Sequence, residues 1–144
     1  NNNLRDLYFQ SMHHSPFYQG QRPHVGKVTG ISIYLAGQRI NFNVQPYILG
    51  GTAMVHIRPI AEAMGATISW HQVSHTVTFT RGSRTCSCQV GSTVGVVDGE
   101  GYLLPEPPVF QGDNVVVPLR FVAESLGYRV TYNQHNQTIH LTRI

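Results

Sequence analysis

The sequence has few charged side chains and a single lysine, Lys27. Charged residues make up 12% of the chain, whereas about 25% is usual for a soluble domain. The formal net charge of +3 is spread along the chain, and its densest basic stretch, Arg81-Gly-Ser-Arg84, holds two charges. Proteins that bind nucleic acids show a stripe or cluster of Lys and Arg. The sequence therefore predicts no nucleic-acid partner.

Long apolar runs and cysteines are also scarce. No run of 18 or more apolar residues occurs, so we expect no membrane insertion. The two cysteines stand as Cys86-Ser-Cys88. On one face of a strand their α-carbons would lie roughly 6.5–7 Å apart, at or beyond the limit for an unstrained disulfide. Two ordinary thiols are favoured, with a strained or intermolecular disulfide and metal binding as alternatives.

Motifs for covalent catalysis are missing. The chain has no Gly-x-Ser-x-Gly elbow, and neither cysteine has a histidine close to it in sequence. Its eight histidines suggest a metal hypothesis, with His71 and His75 at the ends of one predicted hairpin loop as the candidates. A firm zinc or copper site needs three or four oriented ligands. We therefore predict a protein that is not an enzyme and holds no metal or cofactor.

The first 26 residues are set apart from the rest. Residues 1–12 contain Leu-Tyr-Phe-Gln-Ser-Met, which is typical of a protease-cleavage linker, and are interpreted as an expression-tag remnant. Residues 13–26 are interpreted as a linker or arm. The remainder, 27–144, is long enough for one compact domain. No secretion signal is visible in this sequence.

The remainder repeats itself at a constant offset of 62 residues. Residues 50–80 lie over residues 112–142 without a gap, and identical residues recur throughout. We therefore predict two tandem repeats, at residues 27–82 and 83–144. Among the identities are Val55/Val117, Arg58/Arg120, Ala61/Ala123, Glu62/Glu124, Gly65/Gly127 and Thr76/Thr138.

A short amphipathic helix is predicted in each repeat. In the second repeat, apolar residues recur at helical spacing after Pro118, which suits a first helical position. Gly127 follows as a left-handed cap, and Gly65 has the same role in the first repeat. The apolar residues of the two stripes are Ile57, Ile60, Ala61 and Met64, and Leu119, Val122, Ala123 and Leu126.

Alternating apolar and polar residues around each helix predict two hairpins per repeat. One precedes the helix and one follows it, and short segments at 47–48 and 109–110 favour an additional strand. The predicted fold is α+β, with two pseudo-symmetric repeats. Each repeat is expected to be a small antiparallel sheet of four or five strands packed on one short helix.

The repeated pattern resembles a known family. Its second copy contains Val-Pro-Leu-Arg-Phe-Val-Ala-Glu-Ser-Leu-Gly, followed by Val-x-Tyr and Thr-hydrophobic-x-hydrophobic. This pattern is similar to the copper amine oxidase N-terminal-like (stalk) domains, over roughly residues 27–144. The first copy departs from it at His56, where the pattern has proline, and at Pro59.

The resemblance implies a non-catalytic, extracellular or cell-surface stalk module of a bacterial protein. Expected partners are a cell-wall polymer, a protein, or neighbouring domains of a larger protein. Amine oxidase chemistry itself is excluded, because the chain has no Asn-Tyr dipeptide for a quinone cofactor and no His-x-His copper motif.

An alternative function is a glycan- or peptidoglycan-binding module that uses exposed aromatic residues. The candidates for ligand contact are Tyr34, Tyr47, Tyr102 and Tyr128, whereas Trp70 and Tyr132 are expected to pack in the core. Exposed edge strands also favour a homodimer.

The charged pairs that both copies share, Arg58–Glu62 and Arg120–Glu124, have i,i+4 spacing and are interpreted as structural. Residues that differ between the copies, chiefly His56, His71, His75 and the loops, are where a function specific to this chain is expected.

Overall fold

The computed structural model describes residues 27–144 and is α+β, as predicted. The expectations for residues 1–12 and 13–26, including His13 and His14, lie outside the described residues. Up to residue 82 the elements are β1 Lys27–Val28, β2 Ser32–Leu35, β3 Gln38–Arg39, β4 Tyr47–Leu49, β5 Thr52–His56, α1 Ile57–Ala63, β6 Thr67–His71 and β7 Thr76–Arg81. After it come β8 Arg84–Gln89, β9 Val94–Val97, β10 Glu100–Leu103, β11 Val109–Gln111, β12 Asn114–Pro118, α2 Leu119–Ser125, β13 Tyr128–Asn133 and β14 Thr138–Arg143.

The strands form three sheets. Sheet A has the order β1-β4-β5-β12-β11, sheet B the order β13-β14-β2-β3, and sheet C the order β10-β9-β8-β7-β6. All neighbouring strands are antiparallel except β14 and β2, which run parallel with Thr138 opposite Ser32. The expectation of purely antiparallel sheets is therefore wrong at this one pair.

The expectation of one sheet per half is also wrong. Each sheet takes strands from both sides of residue 82, because β5 pairs with β12, β14 with β2, and β8 with β7. Isolated hairpins are only marginally stable in water. Pairing each hairpin with strands from the other half satisfies backbone groups that two separate small sheets would leave at open edges.

The central strands of sheet A, β5 and β12, are among the elements that the sequence pattern missed. β5 is buried along its whole length, and four of the five residues of β12 are buried. A strand covered on both faces shows a continuous apolar run instead of alternation. Pro118 is correspondingly the last residue of β12 and the N-cap of α2, with ψ at 125°, and not the first helical residue.

The two helices bury the predicted stripes and end where predicted. Ile57, Ile60 and Ala61 of α1 are buried. Gly65 and Gly127 have φ of +83° and +86°, a conformation that glycine adopts without the steric cost of a Cβ. Both helices therefore stop at a glycine, as expected.

Two arginines that flank the turn between β7 and β8 donate hydrogen bonds to carbonyl groups at the C-terminal ends of both helices. Arg81 donates a hydrogen bond from Nη1 to the Met64 carbonyl oxygen, and Arg84 donates from Nη1 to the Ser125 carbonyl oxygen, each at 3.1 Å. The last carbonyls of a helix lack intrahelical donors and carry partial negative charge. The densest basic stretch of the chain thus has a structural role.

One hydrophobic core serves both halves. The rings of Phe79 and Phe121 meet edge to face at 5.9 Å, and both side chains are fully buried. Cys86 and Cys88 lie in the same core as free, buried thiols. Within residues 27–144, no helix is long and apolar enough to cross a membrane.

Candidate functional site

The four tyrosines proposed as ligand contacts do not form an exposed platform. Tyr47, Tyr102 and Tyr128 are buried, so the expectation that they are exposed is wrong. Tyr47 packs in a small cluster with Met54 and Val116 in sheet A. Tyr34 is half-buried and stacks on His140 at 5.2 Å.

Tyr128 lies on the same face of β13 as Val130 and Tyr132, the face that packs on the core. It follows the glycine that ends α2, and the guanidinium groups of Arg81 and Arg143 lie 5.6 and 5.7 Å from its ring centroid. Cation–π contacts of this kind cover a ring with polar side chains. The burial depends on neighbours that are distant in sequence.

The candidate metal ligands have other partners. His71 Nδ1 accepts a hydrogen bond from the Ser74 backbone N–H at 3.3 Å, and the His75 ring stacks on Trp70. Among the residues that the structure describes, no group of three or more His, Cys, Asp or Glu side chains is close enough together to hold a metal ion.

The two Arg–Glu pairs on the helices both form ion pairs, and they differ in their exposure to solvent. Arg58 Nη1 lies 3.2 Å from Glu62 Oε2, and both side chains are about half exposed. Arg120 and Glu124 also pair, and their side chains are only 12% and 18% exposed. Pairs of this spacing stabilise a helix surface by a few tenths of a kcal/mol.

A groove of about 680 Å³ opens between sheet C and sheet A, and we call it the aromatic groove. Its walls come from β6, the turn after β6, the start of α1, and the hairpin of β11 and β12. Cavities of 300–1,000 Å³ are the usual size of small-molecule sites. The lining residues are His56, Ile57, Arg58, Ile68, Trp70, Gln72, His75, Val77, Phe110, Gly112, Asp113, Asn114 and Val115.

Three rings form the apolar wall of the aromatic groove. The rings of Trp70 and His75 stack with centroids 5.8 Å apart and planes 10° apart. Phe110 meets both rings edge-on, at 5.8 Å from Trp70 and 5.2 Å from His75. Because β6 is an edge strand, Trp70 packs against the core on one side and is only half buried. Core packing, as expected from its strand face, therefore describes only part of its surroundings.

Polar side chains form the rest of the lining. His56 is buried, and its Nδ1–H donates to Asn43 Oδ1 at 3.0 Å. Burial, and secondarily the charge of Arg58, lowers the pKa of His56, which favours the neutral imidazole. Trp70 Nε1–H donates to Gln72 Oε1 at 2.7 Å and so fixes the orientation of the indole ring.

The groove unites residues that no local pattern brings together. Phe110 and Asp113 come from the second half, whereas Trp70 and His75 come from the first. Sequence reasoning placed Phe110 in a short strand and gave it no role. The useful signal was the difference between the copies, since two of the three histidines singled out on that ground, His56 and His75, line the groove, whereas His71 does not.

The lining of the aromatic groove contains no Ser, Thr, Cys or Lys side chain. The two cysteines face the core on β8, and burial raises the pKa of each thiol to about 12. Thiolates, the reactive form, are therefore scarce at neutral pH.

Comparison with known proteins identifies the family. No curated protein sequence matches the chain. A family model described as the copper amine oxidase N-terminal domain matches residues 34–141, which is most of the chain. This family is a non-catalytic N-terminal domain, so the chain is not the catalytic part of an amine oxidase. The resemblance noted in the sequence is confirmed, and the chain belongs to the copper amine oxidase N-terminal domain family.

Proposed function

We propose that this chain is a non-catalytic, extracellular stalk of a bacterial secreted or surface protein, which holds neighbouring domains apart or attaches them to a cell wall or protein partner. The observation that carries this proposal is the pairing of β2 with β14, because these two strands lie near the ends of the described chain. A stalk must stay folded when its two ends are pulled.

The β2–β14 pair is oriented to resist such a pull. The strands are parallel, so a force on the start of β2 and the end of β14 slides one strand along the other. All hydrogen bonds between them are then loaded together. The Ser32 N–H donates to the Gln137 carbonyl at 3.1 Å, and the Ala36 N–H donates to the Leu141 carbonyl at 3.0 Å, at the two ends of the pair.

Core packing also stabilises the pairing of β2 with β14. Ile33 of β2 and Ile139 and Leu141 of β14 are 1% exposed or less. Sliding the strands by one residue would move these side chains to the opposite face of the sheet. Shearing the pair therefore costs burial as well as hydrogen bonds.

We also propose that the chain consists of two tandem, pseudo-symmetric copies of one unit, at residues 27–82 and 83–144. Corresponding elements support this, since β4 and β11, β5 and β12, α1 and α2, and β7 and β14 each begin 62 residues apart. The same offset relates the identical residues of the sequence.

Single-molecule force spectroscopy tests the stalk proposal. In the first geometry the chain is pulled between two marker domains fused at its ends. In the second it is pulled between a handle attached at Val73→Cys and the C-terminus, and the two unfolding forces are compared. Val73 is 89% exposed and lies in the turn after β6, which is an edge strand. A handle at Val73 therefore pulls β6 away from its sheet and breaks the hydrogen bonds between the strands one after another. We expect the end-to-end force to be clearly higher, and equal forces would refute the mechanical role.

The extracellular location is tested separately. Protease added to intact cells that produce the protein is expected to degrade this domain while a cytoplasmic marker stays intact. Protection of the domain until the cells are lysed would overturn the assignment.

A second candidate function is glycan or peptidoglycan binding. Three of the four tyrosines expected to carry it are buried, but the aromatic groove offers a different surface with rings and polar side chains.

A further inference from the structure

We propose that the aromatic groove binds an uncharged glycan, with a pyranose ring stacked against Trp70 and Phe110 and its hydroxyl groups bonded by the polar lining. This deepens the proposed attachment role and rests on it, because a stalk that binds a wall polymer needs a surface of this kind.

Ring faces supply the apolar half of the site. A pyranose has C–H bonds on its faces, which pack against aromatic rings, and hydroxyl groups around its edge. Phe110 is 43% exposed although it is a large apolar residue. The Phe110 ring is nearly perpendicular to the rings of Trp70 and His75, at 74° and 84°, so the three rings form a concave surface instead of a flat one. Exposed aromatic residues held by neighbours lose little entropy on binding.

Planar polar side chains supply the other half. The lining contains the amides of Gln72 and Asn114, the carboxylate of Asp113, the guanidinium of Arg58 and the imidazole of His56. Together they offer both donors and acceptors, as adjacent hydroxyl groups require. Within residues 27–144, no hydrogen bond or ion pair engages the Asp113 carboxylate, so it is available to a ligand.

The charge of the groove favours an uncharged ligand. Arg58 and Asp113 are its two charged residues, one of each sign, and Arg58 is already paired with Glu62. A phosphate or an anionic polymer would need an excess of Arg and Lys, preferably in bidentate geometry. A simple acyl chain would leave the polar lining without hydrogen-bond partners, which is costly.

The edge strands beside the groove are also unusual in this chain. Of the six sheet edges among the described strands, four carry a charged residue, namely Lys27, Arg39, Glu100 or Arg129. The two that carry no Lys, Arg, Asp or Glu are β6 and β11, and both line the groove. Charges on edge strands prevent unwanted pairing. Their absence here is consistent with a face that contacts a ligand with hydroxyl groups, and a second copy of this chain is the competing occupant.

The test uses the fluorescence of Trp70, the single tryptophan of the chain. Purified protein is titrated with hexasaccharides of N-acetylglucosamine, of β-linked glucose and of mannose, and is sedimented with purified peptidoglycan. We expect a saturable change of emission with at least one of these glycans. The affinity should be nearly independent of salt, because the ligand is uncharged.

Three variants locate the binding. Phe110→Ala and Asp113→Ala are each expected to weaken binding about tenfold, from loss of a ring contact and of a charge-assisted hydrogen bond. Tyr34→Ala removes an aromatic outside the groove and should leave the affinity unchanged. Thermal unfolding of each variant shows whether it is folded, and Phe110 and Asp113 are exposed, so we expect little loss of stability.

Three results would overturn the proposal. The first is no response to any of the glycans, and the second is unchanged affinity in Phe110→Ala and Asp113→Ala. The third is a change of Trp70 emission on dilution of the protein alone, which would place a second copy in the groove. None of these results bears on the stalk, because the force experiment loads β2 and β14, and Phe110 and Asp113 lie outside both strands.

Discussion

Gly95 is the position where a single methyl group should disturb the core most specifically. A Cβ at Gly95 would lie 2.7 Å from both Cε1 and Cζ of Phe121 and 3.2 Å from Leu104 Cδ2. Carbon atoms in contact prefer about 3.5–4.0 Å, so the Phe121 ring must move by roughly 0.8 Å. That ring is fully buried and edge-on to Phe79, which restricts its movement.

We therefore expect Gly95→Ala to lower the free energy of unfolding by about 1–3 kcal/mol, the usual cost of overpacking a core. Urea denaturation followed by circular dichroism measures it. Gly37→Ala is the matched control, because nothing lies within 4 Å of its Cβ position. Gly37 has φ of +84°, so the control reports only the left-handed backbone cost, about 1 kcal/mol.

A double-mutant cycle identifies the cause. Phe121→Leu removes the ring atoms that the new methyl group would strike, so Gly95→Ala should cost at least about 1 kcal/mol less in that background. If Gly95→Ala costs the same with and without Phe121, the collision is not the reason for the destabilisation and the reasoning fails.

Three further predictions concern the helix ends, a buried histidine and the core thiols. Arg84→Gln should lower the free energy of unfolding by about 1 kcal/mol in urea, since it removes the donor to the α2 carbonyl and the 3.0 Å ion pair with Asp98; an unchanged midpoint would contradict this role. Because the pKa of His56 is lowered, the unfolded chain binds a proton more readily, so stability is fully present above pH about 6.5 and is lost as the pH falls towards the folded-state pKa. Between neutral and mildly acid pH, the free energy of unfolding of His56→Asn should fall less than that of the unchanged protein. Parallel profiles of this free energy against pH for the two proteins would contradict the role given to His56. Cys86 and Cys88, with pKa values of about 12, should resist a thiol reagent in the folded protein and react fully in denaturant; rapid labelling of the native protein would show that the core opens.

Local features of the fold were predictable from the sequence because they depend on near neighbours. The spacing of Leu119, Val122 and Ala123 predicts a helix, and Gly127 predicts its end, since both depend on one or two turns of chain. The order of the strands depends on partners far apart. Val55 pairs with Val117, and Ile33 pairs with Ile139, more than 100 residues later. Alternation shows that a strand has a buried face but does not show which strand lies beside it.

The candidate site was predictable only in part, for the same reason. His56 and His75 differ from their counterparts in the second copy, and that difference pointed towards the groove. The roles of Phe110 and Asp113 follow from the approach of sheet A to sheet C, which no local pattern reports. Tyr102 was a wrong candidate because its side of β10 faces the core.

The exchange of strands between the halves has a practical consequence for dividing the chain. Gly82 lies in an exposed turn, and a cut after it separates residues 27–82 from residues 83–144. Each fragment then exposes one of the apolar central strands β5 and β12, which cover each other only when the fragments meet. The two pieces are therefore expected to fold by complementation, as the parts of a split reporter do, and not as independent small domains.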